Sequence, residues 1–230
     1  MSRYNLVVTG PDGTTLERKV VSVTEIIGEV LAKNGLPDWY YKQAIAGMSI
    51  LIKKYDHVLP NDIKSLHSLM KSEGLSPYAI RDEAASVGMK IHTAVEGLAK
   101  GRRPKDYPAL TEWWKSRGFR AANILAAEEL LYSGAYNYAG TVDLIYLDPD
   151  DVGRVVLADI KSGALRDSHH VQLELYRWAW EEMGGQPITE MELIQVPRDG
   201  SDVKTETVPI SKVLTRAASG LLEAYRWLKG

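Results

Sequence analysis

Gly140-Thr141-Val142-Asp143 and Asp159-Ile160-Lys161 are two stretches of this 230-residue chain whose residue types and spacing can do chemistry together. Both lie in segments with strand character. Side chains alternate across a strand, so Asp159 and Lys161 share one face, and Asp143 on a neighbouring strand can point to the same place. Two carboxylates and an ammonium converging at a strand end are costly to bury without a purpose. A divalent cation bound to a phosphodiester supplies one. Mg2+ and Mn2+ prefer oxygen ligands, which Asp143, Asp159 and the Ile160 carbonyl can provide. Lys161 could then orient or deprotonate the attacking water and offset developing charge. Taken alone, Asp-x-Lys reads as an ordinary ion pair at a strand end, so its context decides.

That context contains further polar residues at regular spacing. Gly88, His92 and Glu96 fall at i, i+4 and i+8 of a helix expected from about Pro77 or Tyr78 to Lys100, beside an apolar stripe of Ile91, Val95 and Leu98. A glycine inside a helix costs roughly 1 kcal/mol relative to alanine, and close packing is a reason to keep it. His92 can ligate Mn2+ readily and Mg2+ poorly. Gln172 and Tyr176 share a face of a helix expected over 169–183, after the tight strand exit Ser162-Gly163. Gln can hydrogen-bond a phosphate or a carboxylate, and Tyr offers a ring and a hydroxyl. His169 and His170 precede that face and could meet phosphate near the helix N-terminus. Glu128 and Glu129 open the strand before Asp143, and one of them could support a metal. Arg102, Arg103, Lys105, Lys115, Arg117 and Arg120 could line a groove or simply face water. Trp113 and Trp114 are adjacent and cannot both face one core. Asp148, Asp150 and Asp151 read as turn formers.

The elements that must position these residues follow from periodicity. A hairpin is expected over 4–21 around Pro11-Asp12-Gly13, then a helix from a Ser22–Glu25 capping box to about Asn34. Residues 37–72 read as helical, with a break at Gly74-Leu75-Ser76-Pro77. A Trp-containing helix is expected over 109–123. Three strands follow over 127–133, 138–147 and 152–160, the last apolar on both faces and so central. The 169–183 helix, short strands over 191–196 and 203–208, and a helix from Ser211 to about Leu228 complete the chain. The order predicts an α/β (α+β) fold, a mixed sheet flanked by helices with a helical N-terminal region. The expectation is one domain over 1–230, with 1–80 a hairpin plus helical accessory region and 81–230 the core.

Composition narrows the function classes. There is no cysteine, which excludes disulfides, zinc–thiolate sites and a cysteine-ligated Fe–S cluster. No Gly-Lys-Ser/Thr phosphate loop or repeat occurs. The absence of cysteine suits an intracellular protein, the first residues do not read as a signal peptide, and no apolar run reaches membrane-spanning length, so a cytoplasmic location is expected. The formal charge of −2 gives no global basic signature, although a cleft needs only local cations.

The combined order Gly-x-x-x-His-x-x-x-Glu, Gly-x-Val-Asp, Asp-x-Lys-Ser-Gly and Gln-Leu-x-x-Tyr resembles the RecB-like branch of the PD-(D/E)xK nuclease superfamily. Here the motifs read Gly88 to Glu96, Gly140 to Asp143, Asp159 to Gly163 and Gln172 to Tyr176. The resemblance implies a restriction-endonuclease-like core and Mg2+- or Mn2+-dependent phosphodiester hydrolysis, without the Fe–S cluster of some relatives. It implies metal ligation by His92, Asp143, Asp159 and the Ile160 carbonyl, with Lys161 catalytic. Glu96 and Glu128 are further metal or supporting candidates, and Gln172, Tyr176, Ser162 and His170 are expected near DNA. The function expected is an exonuclease on linear double- or single-stranded DNA in recombination, repair or phage DNA processing. A single-strand annealing or recombination protein is an expected partner, and an oligomer is compatible. The alternative is a DNA-binding or recombination-partner module that keeps this fold without turnover; the intact Asp143, Asp159 and Lys161 oppose it.

Overall fold

The computed structural model describes residues 3–9, 15–31, 36–55 and 58–230. In chain order the elements are β1 (Arg3–Thr9), β2 (Thr15–Ser22), α1 (Val23–Val30), α2 (Leu36–Tyr55), α3 (Ile63–Ser72), α4 (Pro77–Ala99) and α5 (Pro108–Ser116). A 3-10 turn (Ala121–Asn123) leads to β3 (Ile124–Ser133), β4 (Tyr138–Asp148), β5 (Asp151–Lys161), α6 (Asp167–Glu182), β6 (Glu190–Gln195), β7 (Lys204–Val208) and α7 (Lys212–Lys229). The Pro11-Asp12-Gly13 turn and the end of the first helix near Asn34 lie outside the described residues.

The chain forms two compact units, Met1–Ala32 with Ile91–Gly230, and Lys33–Lys90. In the smaller unit, α2 and α3 are tied by Glu73, whose carboxylate accepts from the Lys54 ammonium and the Tyr55 hydroxyl. Asp62 caps α3 by accepting the Ser65 N–H at 2.8 Å.

The larger unit is built on one seven-stranded mixed sheet in the order β1-β2-β4-β5-β6-β7, with β3 also paired to β4. The β2–β4 and β5–β6 pairs are parallel and the others antiparallel. The N-terminal hairpin therefore belongs to this sheet, through Val21 beside Tyr138 and Ser22 beside Ala139. Ser22 also opens α1, its hydroxyl accepting the Glu25 N–H at 3.0 Å, as the capping-box spacing predicts.

β5 is central because both its faces are apolar: Val155, Val156, Leu157, Ala158 and Ile160 are all buried. On one face, Val155 and Leu157 join Leu173, Leu175 and Ala179 of α6, Val23 and Ile26 of α1, and Leu221 and Leu222 of α7 in one core. Each such Val, Leu or Ile side chain contributes about 1.5–3 kcal/mol when fully buried. On β4, Tyr146 holds Phe119 edge-to-face at 4.7 Å, and Phe119 in turn meets Trp114 at 4.7 Å.

The Trp-containing helix is shorter than its periodicity predicts. Gly118 adopts φ +67°, a left-handed conformation that ends a helix cheaply only for glycine. The chain then turns Phe119 onto Tyr146. Trp113 and Trp114 divide as their adjacency requires: Trp114 is buried, and Trp113 carries the Arg117 guanidinium over its ring. Asp148 and Asp151 act as turn formers, accepting the Asp150 and Gly153 N–H groups. Among the described residues no helix is long and apolar enough to cross a membrane.

Candidate metal centre

β4 shares one of its edges between two neighbours. β2 pairs with it only at Tyr138 and Ala139, and β5 only from Leu144 to Asp148. Between them, the Gly140–Asp143 stretch opens a fork in the sheet. Leu144 lies opposite Ala158, so continuing that antiparallel register sets Asp143 opposite Asp159. Here the strands part, and the Ile160 N–H is taken by the Asp143 side chain, which accepts it at 2.6 Å through Oδ2. The buried amide is thereby satisfied, and Asp143 Oδ1 is left to face the fork.

β3 supplies the next carboxylate. The pairs Ala127–Leu144 and Glu129–Val142 bracket Glu128 opposite Asp143 on the other side of β4. Glu128 holds φ +50°, a left-handed conformation costing a non-glycine residue roughly 1–2 kcal/mol. His92, on the last turns of α4, places Nδ1 2.9 Å from Glu128 Oε1 and 3.2 Å from Asp143 Oδ1. Burial alone would lower the pKa of His92; the Asp143 and Glu128 carboxylates outweigh it and raise the imidazole to about 10. The ligand atoms of His92, Glu128 and Asp143 all lie within 4.8 Å of one another.

Asp159 is 1% exposed. Lys161 Nζ stands 2.5 Å from its Oδ2 in ionic contact. Apart from that ion pair, neither carboxylate oxygen of Asp159 has a hydrogen-bond partner. Burial pushes the Asp159 carboxyl up, to about 7; Lys161 and His92 oppose this and Asp143 reinforces it. A buried carboxylate held by one ammonium and no hydrogen bond, beside an acidic and imidazole cluster, fits a divalent cation: the donors are hard oxygens plus one imidazole, with no thiolate.

The Gln172 and Tyr176 face of α6 borders the same place. Both side chains are buried, and Gln172 Nε2 donates to the Tyr176 hydroxyl at 3.0 Å. Burial, then the Asp159 and Asp143 charges, hold the Tyr176 phenol protonated far above the usual range. Gly140 explains how the ring fits. A Cβ there would meet Tyr176 Cε1 at 2.5 Å, so the glycine of the Gly-x-Val-Asp segment makes room for the ring.

Other expected site residues have different surroundings. Glu96 pairs with Lys100 one turn on. His170 Nε2 lies 2.9 Å from Glu206 on β7. The Ser162 hydroxyl accepts from Arg198 Nε at 3.5 Å. Of the acidic pair on β3, Glu128 reaches the cluster and Glu129 faces solvent. Strand alternation requires that the two differ, yet it leaves open which one turns inward.

A model of the PD-(D/E)XK nuclease superfamily matches residues 70–225. Among solved structures, one described as "Crystal structure of SSO0001" is similar at 15% identity, covering 80% of this chain and 84% of that chain with a TM-score of 0.36, too slight a likeness to carry weight. No curated protein matches the chain.

Proposed function

Because this match covers more than half of its length, the chain belongs to the PD-(D/E)XK nuclease superfamily, and on that premise we propose a RecB-like, Mg2+- or Mn2+-dependent deoxyribonuclease that degrades linear DNA from its ends. Membership makes it a metal-dependent nuclease; end dependence and a setting in recombination, repair or phage DNA processing are our reading. The observation that carries it is the buried Asp159 carboxylate, opposite Asp143, with Lys161 at 2.5 Å in ionic contact and no hydrogen-bond partner on either oxygen.

His92, Glu128, Asp143 and Asp159, with the Ile160 carbonyl, would hold the cation. When bound, it supplies positive charge that polarises the phosphoryl group and acidifies water. The residues themselves set the rest. Asp143 ties β4 to β5 through the Ile160 amide, which fixes the Asp159-x-Lys161 turn of the strand relative to the His92 cluster. Lys161 extends its ammonium from the same face and stabilises charge gathering on the phosphate oxygens. Hydrolysis adds water across one P–O bond: the water oxygen bonds phosphorus, and the leaving oxygen departs as a hydroxyl once protonated. Gln172 and Tyr176, buried beside Asp159, hold the wall of the site and offer neutral donors to the nucleic acid.

The test is a cleavage assay on end-labelled linear, nicked and closed circular DNA, with metal-stripped protein titrated with Mg2+ and then Mn2+. Linear DNA is expected to be shortened from its ends only with metal, and closed circles to survive. Asp159→Ala and Lys161→Ala are expected to lower the rate about 100-fold or more while the circular-dichroism spectrum is unchanged. Closed circles cut as fast as linear DNA would contradict end dependence. Wild-type rates in both variants would contradict the site itself.

A further inference from the structure

The strand that carries Lys161 leaves the sheet beside an arginine that no part of the metal cluster uses. β6 runs parallel to β5, and the pairing continues past its end, where the Val196 N–H donates to the Lys161 carbonyl at 2.9 Å. Residues 196–198 therefore run alongside 161–163. Two contacts fix this corner. Gln195 Nε2 donates to the Gly163 carbonyl at 2.9 Å, and Arg198 Nε donates to the Ser162 hydroxyl at 3.5 Å. The other end of the guanidinium lies over Gly163, where an added Cβ would sit 3.5 Å from Nη2.

Arg198 is exposed, and none of the carboxylates among the described residues pairs with it. Its neighbour Asp199 is committed elsewhere, accepting the Ser201 N–H at 3.0 Å and the Ser201 hydroxyl at 2.7 Å. Four of the five guanidinium N–H donors thus remain open at Ser162 and Gly163, the residues that directly follow Lys161 in the chain. A planar guanidinium binds phosphate with two parallel hydrogen bonds, which an ammonium cannot match. Nearby charge has the same sign: His169, at the start of α6, is held neutral by burial and by the positive charges of Lys161, Arg166 and His170.

We infer that Arg198 binds the phosphodiester next to the one being cut and sets the DNA backbone in register with Lys161. This rests on the nuclease reading above, and its failure can be told apart from the failure of that reading.

The experiment is steady-state cleavage of one linear DNA by wild type, Arg198→Ala and Arg198→Lys across a salt series, with calorimetric Mn2+ titration of each protein without DNA. Arg198→Ala is expected to raise KM about 10-fold, with the loss falling on KM rather than kcat, and to reduce the slope of log KM against log salt by about one, the share of one phosphate contact. Arg198→Lys should restore the slope but only part of the KM. Mn2+ affinity should match wild type in both. If wild type cleaves and Arg198→Ala keeps its KM and salt slope, or loses only kcat, the inference is overturned while the nuclease reading stands. If wild type cleaves no DNA with either metal, the reading falls and the role of Arg198 with it.

Discussion

A single imidazole N–H shared between two carboxylates makes His92 a competitor for the cation it is proposed to bind. The Asp143 and Glu128 charges raise its pKa to about 10, so in metal-free protein at pH 7 it is an imidazolium. A metal ligand must be neutral, so binding has to expel that proton. Mn2+ affinity is therefore expected to rise about tenfold per pH unit between pH 7 and about 10, with close to one proton released per ion at pH 8. Calorimetry in buffers of different ionisation enthalpy measures this; a pH-independent affinity would contradict it. The sign for stability follows from the same shift. The folded pKa lies above the ordinary 6.5, so the stabilisation is complete below pH 6.5 and is lost as pH rises through about 10. Thermal melting in chelator should show Tm falling between pH 7 and 10 in wild type, and a flatter profile in His92→Gln. Asp143, Asp159 and Lys161 were legible in the sequence because strand alternation is a local rule. Glu128 was a candidate from the resemblance alone, since strand alternation does not say which of Glu128 and Glu129 turns inward, and the left-handed backbone of Glu128 is one that glutamate does not favour.

At the scale of elements, the fit of α6 to β4 turns on one missing methyl. Gly140→Ala would place Cβ 2.5 Å from the Tyr176 ring. The ring is buried and tied to Gln172, so it cannot swing away freely. Overpacking of this kind costs about 1–3 kcal/mol. Chemical denaturation should show that loss in Gly140→Ala. It should also show a strongly non-additive cycle with Tyr176→Ala, which frees the space; strict additivity would contradict the contact. Tyr176→Phe keeps the ring and loses only the hydroxyl, so a cost of about 1 kcal/mol is expected, read by the same denaturation series. The Gly-x-Val-Asp and Gln-x-x-x-Tyr segments were each visible in the sequence. That one exists to receive the other could not be read locally, because the contact joins a strand and a helix distant in sequence. The early end of α5 had a local signal, Gly118, which the helical periodicity of the preceding residues outweighed.

At the scale of the whole molecule, the site depends on a fork that only the complete sheet creates. β2 and β5 take opposite ends of the same β4 edge, and the unclaimed stretch between them holds Asp143. The central place of β5 was legible from its two apolar faces. The parallel pairing of β2 with β4 was not, since such a pairing is non-local and leaves no periodic mark on the strand. The charge balance has the same character. A net charge of −2 conceals a local arrangement in which Lys161 meets Asp159 and Arg198 meets Ser162, the next residue along the chain. The central claim is that His92, Asp143 and Asp159 surround one cation position in this fork. It is tested most directly by a crystal of the protein soaked in Mn2+, with the anomalous signal recorded. The account predicts a peak within coordination distance of His92, Asp143 and Asp159, with Glu128 at or next to it. A fully soaked crystal with no peak in the fork, or with its peak on other residues, would contradict it.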